Sequence, residues 1–157
     1  SRFVAIAAVL TLAGCGFQLQ GALSFPAEMQ RTFIATEDPY SLFYRQLRSE
    51  LKTAGIEVVD DAASATATLS ISYDDTDQRV LSVSARYVPT EYEVYYTIEY
   101  AIDDGEDVLL SPQTLTITRD YTYDSTLVLG KAREEELLRE AIVADLVRIV
   151  LKRISTL

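Results

Sequence analysis

Residues 91–103 read EYEVYYTIEYAID, and apolar and polar side chains alternate along this stretch with a period of two. This period is typical of a β-strand that has one face against the core and the other in water. The predicted inner positions are Tyr92, Val94, Tyr96, Ile98, Tyr100 and Ile102. The predicted outer positions are Glu91, Glu93, Thr97, Glu99 and Asp103. We therefore expect a fold built around a sheet that is covered on one side.

Further strand patterns lie on both sides of this stretch. Runs of β-branched and aromatic residues between turn formers predict strands at residues 31–36, 56–59, 66–73, 79–87, 107–110 and 113–123. The last two are predicted to be separated by a break near Pro112, because proline cannot donate to a sheet. In 79–87 the predicted inner residues are Leu81, Val83, Ala85 and Tyr87. From residue 66 onward the strands are expected to form an antiparallel meander.

Two amphipathic patterns predict helices. The first has Asp38 as N-cap, Pro39 in its first turn and Gly55 as its stop. Its predicted apolar stripe is Tyr40, Phe43, Leu47, Leu51 and Ala54. The second covers residues 131–154, with a main stripe of Leu138, Ile142, Leu146 and Ile149. Together these elements predict an α+β fold, a two-layer sandwich with two helices packed on one face of a mixed four- to five-stranded sheet. The other sheet face is left for solvent or a partner.

The N-terminus carries a sorting signal. Its apolar run is too short to cross a bilayer, which takes roughly 20 apolar residues, and it ends in the lipobox Leu12-Ala13-Gly14-Cys15. We therefore predict a lipoprotein signal peptide over residues 1–14 and acylation of Cys15. Because Gly16 rather than aspartate follows the cysteine, bacterial sorting favours the outer membrane. Residues 15–157 are expected to form a single periplasmic domain anchored there. The alternative is a secreted protein with a chance cysteine.

The composition excludes several classes of function. The chain has 24 acidic and 14 basic residues, for a formal charge of −10, which argues against nucleic acid as a partner. It has a single cysteine, so no disulfide can form once that thiol is acylated. It has no histidine, which excludes histidine zinc sites and catalysis with imidazole as base. We predict neither a metal nor a cofactor.

Paired carboxylates are the remaining candidates for catalysis. Aspartates adjoin at positions 60 and 61, 74 and 75, and 103 and 104. Glycoside hydrolysis uses two carboxylates, but all three pairs lie in segments predicted to be turns. Sequence neighbours on a solvated turn seldom form a catalytic pair, so we do not expect an enzyme.

Tyrosine and basic residues supply the candidate contact sites. Tyrosine is enriched where proteins meet. We select Tyr95, because it occupies a position on the otherwise polar side of its strand. We also select Tyr121 and Tyr123, which lie near a strand end. The alternative is ordinary strand packing, since tyrosine has a high β propensity.

Three basic residues stand out because cations are scarce in the β-rich half of the chain. Arg86, Arg119 and Lys131 are the candidates for binding phosphate or carboxylate groups. Arg119 has the same parity as Leu115 and Ile117, so the strand is either bulged or lets the guanidinium emerge at the sheet edge. The alternative is that each cation pairs with a carboxylate of the same chain.

The order of these segments resembles the LptE family of LPS-assembly lipoproteins. The resemblance lies in the lipobox and in residues 15–21 (CGFQLQG), 86–94, 119–124 (RDYTYD), 128–131 (VLGK) and 134–135, which lead into a basic-tailed helix. It implies an outer-membrane lipoprotein that binds the β-barrel LptD one to one, plugs it and assists its assembly. It also implies contact with lipopolysaccharide through basic residues, at Lys131 and Arg86.

Two other functions compete with this one. A periplasmic lipoprotein serving another envelope lipid-transport system would share the anchor and the domain. A carbohydrate-active enzyme would depend on one of the aspartate pairs.

Overall fold

The computed structural model describes residues 23–122 and 128–157, with side chains of the second segment described from residue 132 onward. Cys15 and Tyr123 lie outside the described residues, and only the backbone of Lys131 is described. The strands are β1 (Arg31–Thr36), β2 (Glu57–Val59), β3 (Ala67–Val83), β4 (Pro89–Asp103) and β5 (Val108–Thr122). The helices are α1 (Leu42–Thr53) and α2 (Val128–Ile154).

The strands form one mixed sheet in the order β2-β1-β3-β4-β5. Strand β1 is parallel to both β2 and β3, and α1 makes the crossover that a parallel pair requires. From β3 onward the pairing is antiparallel, so the predicted meander is confirmed.

Strand β4 supplies the central row of the core. Val94, Ile98 and Ile102 are fully buried, and Tyr96 and Tyr100 nearly so. The same cluster contains Phe43, Leu47 and Leu51 of α1 and Ile142, Val143, Leu146, Val147, Val150, Leu151 and Ile154 of α2. Both helices therefore cover one sheet face, and the predicted two-layer sandwich is confirmed.

Helix α1 begins later than the sequence predicts. Ser41, not Asp38, is its N-cap, because the Ser41 hydroxyl accepts the Tyr44 N–H at 3.0 Å. The Asp38 carboxylate instead accepts the Tyr40 N–H at 2.9 Å and closes a turn before the helix. Tyr40 is 83% exposed, so its predicted place in the buried stripe is wrong. The predicted stop at Gly55 is confirmed by its φ of 90°, where glycine is favoured.

Strand β3 is continuous where the sequence predicts two strands. A register shift between Ile71 and Tyr73 adds one residue opposite β4. Because side chains alternate between faces, one extra residue reverses which positions point inward. Asp74, Thr76 and Gln78 consequently lie opposite the inward positions of β4. The predicted inner residues are exposed instead: Leu81, Val83, Ala85 and Tyr87.

Strand β5 and helix α2 also differ from the prediction in detail. Strand β5 runs through Pro112, and a register shift between Tyr100 and Ile102 of β4 accommodates the extra residue. In α2, Ile149 is exposed although it was predicted to belong to the buried stripe. Val147, which was not predicted to belong to it, is buried.

These positions in α2 allow a matched test of the packing. Ile142→Ala removes a fully buried side chain and is expected to lower the free energy of unfolding by about 2–5 kcal/mol. Ile149→Ala, the same change on the exposed side of the same helix, should stay within about 0.5 kcal/mol of the parent. Urea unfolding followed by circular dichroism measures both, and equal effects would contradict this packing.

Candidate functional site

The second face of the sheet is not covered by either helix, because both helices pack on the first. We call it the open face. The register assigns to it Asp75, Asp77, Arg79, Glu93, Tyr95, Thr97, Glu99, Thr114, Thr116, Thr118 and Asp120. The part of the open face formed by β3, β4 and β5 is thus rich in hydroxyl and carboxylate groups, and Tyr73 lies on it opposite Glu99.

Hydrogen bonds between strands order the middle of the open face. The hydroxyls of Thr97 and Thr116 lie 2.9 Å apart on β4 and β5. Ser72 donates to Glu99 Oε1 at 2.6 Å, and Thr114 donates to Glu99 Oε2 at 3.3 Å. These side chains are held in a flat polar array that can offer further hydrogen bonds to a polar partner.

Tyr95 lies within this array, between Asp77 on β3 and Thr118 on β5. The guanidinium carbon of Arg79 is 5.9 Å from the centroid of its ring, within cation–π distance. Arg79 also forms an ion pair with Glu93. The half-buried ring of Tyr95 is therefore held in place, and its position suits its predicted role as an interface residue.

The turn between β3 and β4 forms a second candidate surface, the hairpin tip, which comprises residues 84–88. The Ser84 N–H donates to Val88 O at 2.8 Å, and the Tyr87 N–H donates to Ser84 O at 2.9 Å. Tyr87 has a φ of 60° and is 88% exposed. Such a backbone is uncommon for a bulky residue and is found at ligand-binding positions.

Arg86 is exposed at this tip beside the exposed apolar side chains of Tyr87 and Val88. No ion pair among the described residues includes Arg86. A cation next to apolar groups matches a ligand that has both an anionic and an apolar part.

Arg119 lies elsewhere and has a partner. It lies opposite Val94, on the side of β5 that faces the helices, which is the side predicted from Leu115 and Ile117. The strand has no bulge at this point. Its guanidinium donates to Asp145 of α2 at 2.6 Å. Hydrogen bonds from Arg148 and Arg119 lower the pKa of Asp145 below its usual value. Arg119 therefore ties β5 to α2, and the structure does not bring it together with Arg86.

Tyr121 points toward the helices. Its ring stacks on Tyr92 with centroids 5.7 Å apart, and its hydroxyl donates to Gln78 at 2.8 Å. Burial raises the pKa of Tyr121. The ring of Tyr121 thus packs inside the domain. This agrees with the alternative given for the tyrosines in the sequence analysis, which was ordinary strand packing.

The hydrogen bonds of Asp74 connect three elements. Its carboxylate accepts from Ser41, the α1 cap, at 2.5 Å and from the Tyr96 hydroxyl at 2.6 Å. Burial and the bond to Asp74 raise the pKa of Tyr96 well above its usual value. Asp75 belongs to the opposite face and accepts from Tyr73 at 3.3 Å. The two aspartates point apart and cannot act as a pair.

The other aspartate pairs stabilise turns. Asp60 accepts from Arg48 at 2.7 Å, and Asp61 caps the short 3₁₀ helix at Ala62–Ser64. In the β4–β5 turn, hydrogen bonds from following backbone N–H groups, that of residue 107 above all, lower the pKa of Asp104. These carboxylates have structural partners, and within the described residues no group of three or more acidic side chains could hold a metal ion.

Sequence reasoning missed the Arg79–Glu93 pair and the hairpin tip. The pair becomes visible only when the register of β3 against β4 is known. The tip had a local signal in the sequence, because turn-forming Ser84 and Pro89 lie at its two ends. The apparent period of two nevertheless led us to predict a strand that continues to residue 87.

Comparison with known proteins identifies the family. The family model described as LptE, lipopolysaccharide-assembly, matches residues 29–154. This chain belongs to the LptE family. The resemblance found in the sequence is confirmed.

Curated relatives support this assignment. The LPS-assembly lipoprotein LptE of Pectobacterium atrosepticum is 26% identical over 152 residues, covering 96% of this chain and 82% of that one. The LptE of Yersinia pestis (strain Pestoides F) is 30% identical over 135 residues, covering 85% of this chain and 64% of that relative. This chain therefore spans just under two thirds of the Yersinia relative.

Solved structures share the fold. The solution structure of lipoprotein B from Nitrosomonas europaea has a TM-score of 0.74 at 27% identity, covering 89% of this chain and 90% of that one. The crystal structure of rare lipoprotein B from Shewanella oneidensis has a TM-score of 0.69 at 26% identity, covering 80% and 94%.

Membership of the LptE family makes this chain an envelope lipoprotein with a role in LPS transport and assembly. The family is non-enzymatic, so the prediction that the protein is not an enzyme is confirmed. Among the described residues no helix has the length and apolar character needed to cross a bilayer.

The two neighbouring aspartates on β3 provide a matched test of the inner contacts. Asp74→Asn is expected to lower the free energy of unfolding by about 1–3 kcal/mol, because it weakens two part-buried hydrogen bonds. Asp75→Asn, on the exposed face, should change it by less than about 0.5 kcal/mol. Denaturant unfolding of both variants measures the difference, and a larger loss for Asp75→Asn would refute the assigned register.

Proposed function

We propose that this protein is anchored to the periplasmic side of the outer membrane through acylated Cys15 and forms a one-to-one complex with the β-barrel LptD. In this complex it plugs the barrel, assists barrel assembly and helps to deliver LPS to the cell surface. The observation that carries the proposal is the open face: an ordered polar sheet surface on a member of the LptE family.

The chemistry of the open face suits the wall of a water-filled barrel. Barrel interiors are lined by polar side chains, and a wall of this kind pairs better with hydroxyl and carboxylate groups than with aliphatic ones. Cross-strand hydrogen bonds already hold Thr97, Thr116 and Glu99 in place. Less side-chain freedom is therefore lost on binding. Tyr95 supplies the kind of aromatic anchor that dominates many interfaces.

The hairpin tip supports direct contact with LPS. Arg86 can bind phosphate, and exposed Tyr87 and Val88 can contact acyl chains. The net charge of −10 opposes phosphate binding at long range. Salt screens such repulsion beyond ~8 Å, so a local cation still binds. Lys131 is the second proposed contact.

Affinity purification of the tagged chain from its own envelope tests the partnership. We expect LptD to be recovered at about one copy per chain. Tyr95→Glu should weaken the affinity for LptD roughly thirtyfold and thereby lower that recovery, since losing an aromatic anchor costs ~2 kcal/mol or more. Tyr40→Glu, the same change at an exposed tyrosine in the turn before α1, should leave recovery unchanged. Equal recovery from both variants would exclude the open face as the contact, and absence of LptD from the parent preparation would refute the partnership.

Charge reversal tests the LPS contacts. Arg86→Glu and Lys131→Glu are each expected to weaken binding of purified LPS several-fold, with a smaller dependence on salt. The matched controls are Arg45→Glu and Lys52→Glu on exposed positions of α1. If the Arg86 and Lys131 variants bind LPS as the controls do, these two residues are not the contacts.

A further inference from the structure

The two edges of the sheet differ in how they are protected against a further strand. Strand β2 at one edge has only three residues, and its Glu57 forms an ion pair with Arg31 of β1. Short strands and charged side chains are common means of preventing unwanted pairing at an edge. Strand β5 at the other edge has 15 residues. Within it, residues 113–118, QTLTIT, contain neither a charge nor a proline, so this part of the edge lacks such protection.

Two hydrogen bonds between β3 and β4 show which way the backbone groups of β4 point. The Thr76 hydroxyl donates to the Tyr95 carbonyl at 2.8 Å. The Ser72 hydroxyl donates to the Glu99 carbonyl at 3.5 Å. Both carbonyls therefore point toward β3. Because the backbone groups of successive residues in a strand point to opposite sides, those of the even-numbered residues between them point toward β5.

The direction of these groups determines which backbone groups of β5 are free. Tyr96 and Ile98 lie opposite Ile117 and Leu115 in the register, so these pairs exchange the hydrogen bonds between the two strands. The groups that point away from β4 are those of Thr114, Thr116 and Thr118. No strand of the described residues pairs with that side of β5. The sheet thus presents a free row of alternating backbone donors and acceptors.

The side chains along this row determine what kind of strand fits it. The three threonines are exposed on the open face, whereas Leu115 and Ile117 face the helices and are partly buried against the core. A strand added here extends both faces, so its side chains must alternate between polar and apolar. Transmembrane β-strands show this alternation and span about 9–11 residues. The pairing of β5 with β4 is regular from residue 113 to residue 122, which provides an edge of that length.

We propose that the free edge of β5 binds an extended amphipathic strand by strand addition, and that this strand belongs to the β-barrel partner before its barrel has closed. A closed barrel has no free edge, so the contact is made during assembly and is released at closure. Backbone hydrogen bonds supply the affinity, and the alternation of side chains supplies the specificity. The identity of the strand rests on the proposed role in barrel assembly.

A peptide probe tests the pairing on the full chain. The probe has about ten residues, in which threonine and valine alternate, with lysines at both ends for solubility. The control peptide has the same residues, with the threonines and the valines in separate blocks. We expect the probe to slow amide hydrogen exchange at positions 114, 116 and 118 at least about tenfold, because these N–H groups gain a partner. Positions 115 and 117 are already bonded to β4 and should change little.

This pattern distinguishes strand addition from other contacts. If the probe slows exchange equally at even and odd positions, or acts no better than the control peptide, the proposal is overturned. It is also overturned if the even positions already exchange as slowly as the odd ones in the chain alone. In that case a second copy or another segment of this chain covers the edge, and sedimentation tells the two apart.

Two substitutions at Thr116 separate the backbone from the side chain. Thr116→Pro removes an N–H that points away from β4 and leaves the bonds to β4 in place, and Thr116→Val keeps both the N–H and the branched side chain. We expect the proline variant to bind the probe at least about tenfold more weakly and the valine variant to bind within about threefold of the parent. Equal binding by the two folded variants would contradict strand addition. If circular dichroism shows that the proline variant is unfolded, the exchange pattern of the parent decides.

The amount of assembled barrel tests the source of the strand. Cells that contain only the Thr116→Pro variant should assemble several-fold less LptD than cells that contain only Thr116→Val. Equal amounts would exclude a barrel strand as the occupant. If the parent chain does not recover LptD, the proposed function fails, and the peptide experiment still decides whether the edge binds a strand. If the parent recovers LptD but the exchange pattern is absent, only the edge proposal fails.

Discussion

The fully buried row on β4 is the interaction on which the rest of the structure depends. Val94, Ile98 and Ile102 present one continuous apolar surface, and both helices bury their stripes against it. Apolar burial supplies roughly 25 cal/mol per Å², so this contact is the main stabilising term of the two-layer sandwich. It also determines which sheet face is left uncovered, since the polar residues that alternate with this row must lie on the other side.

The bulge in β3 after Ile71 divides the sheet into two chemically different halves. Before it, alternating apolar residues pack under the helices. After it, Asp74 and Gln78 occupy inward positions and bond to Ser41, Tyr96 and Tyr121. None of residues 132–141 of α2 is buried, and Leu137 is exposed. One extra residue in a strand thus leads to this polar layer.

These features form one arrangement. The helices cover one side of the sheet, the open face offers a polar surface, and the hairpin tip offers Arg86 beside apolar groups. With the helices covering one face, a protein of the LptE family can offer the open face to the proposed partner while the tip remains free for an amphiphilic ligand. The acidic charge of the chain is compatible with this role because the cation at the tip is isolated from carboxylate partners among the described residues.

The sequence by itself determined the fold class, the antiparallel pairing of the meander and the stop of α1 at Gly55, because each depends on neighbours a few residues apart. It also placed Tyr95 on the outer parity of β4 and Arg119 on the inner parity of β5. Only the tertiary structure decided that Ser41 rather than Asp38 caps α1, that Leu81 and Val83 are exposed, and that Tyr121 packs inward. It alone paired Arg79 with Glu93 and Arg119 with Asp145. The reason is that strand register and helix docking join residues far apart in the chain, and a single-residue shift in register changes the face of every side chain that follows.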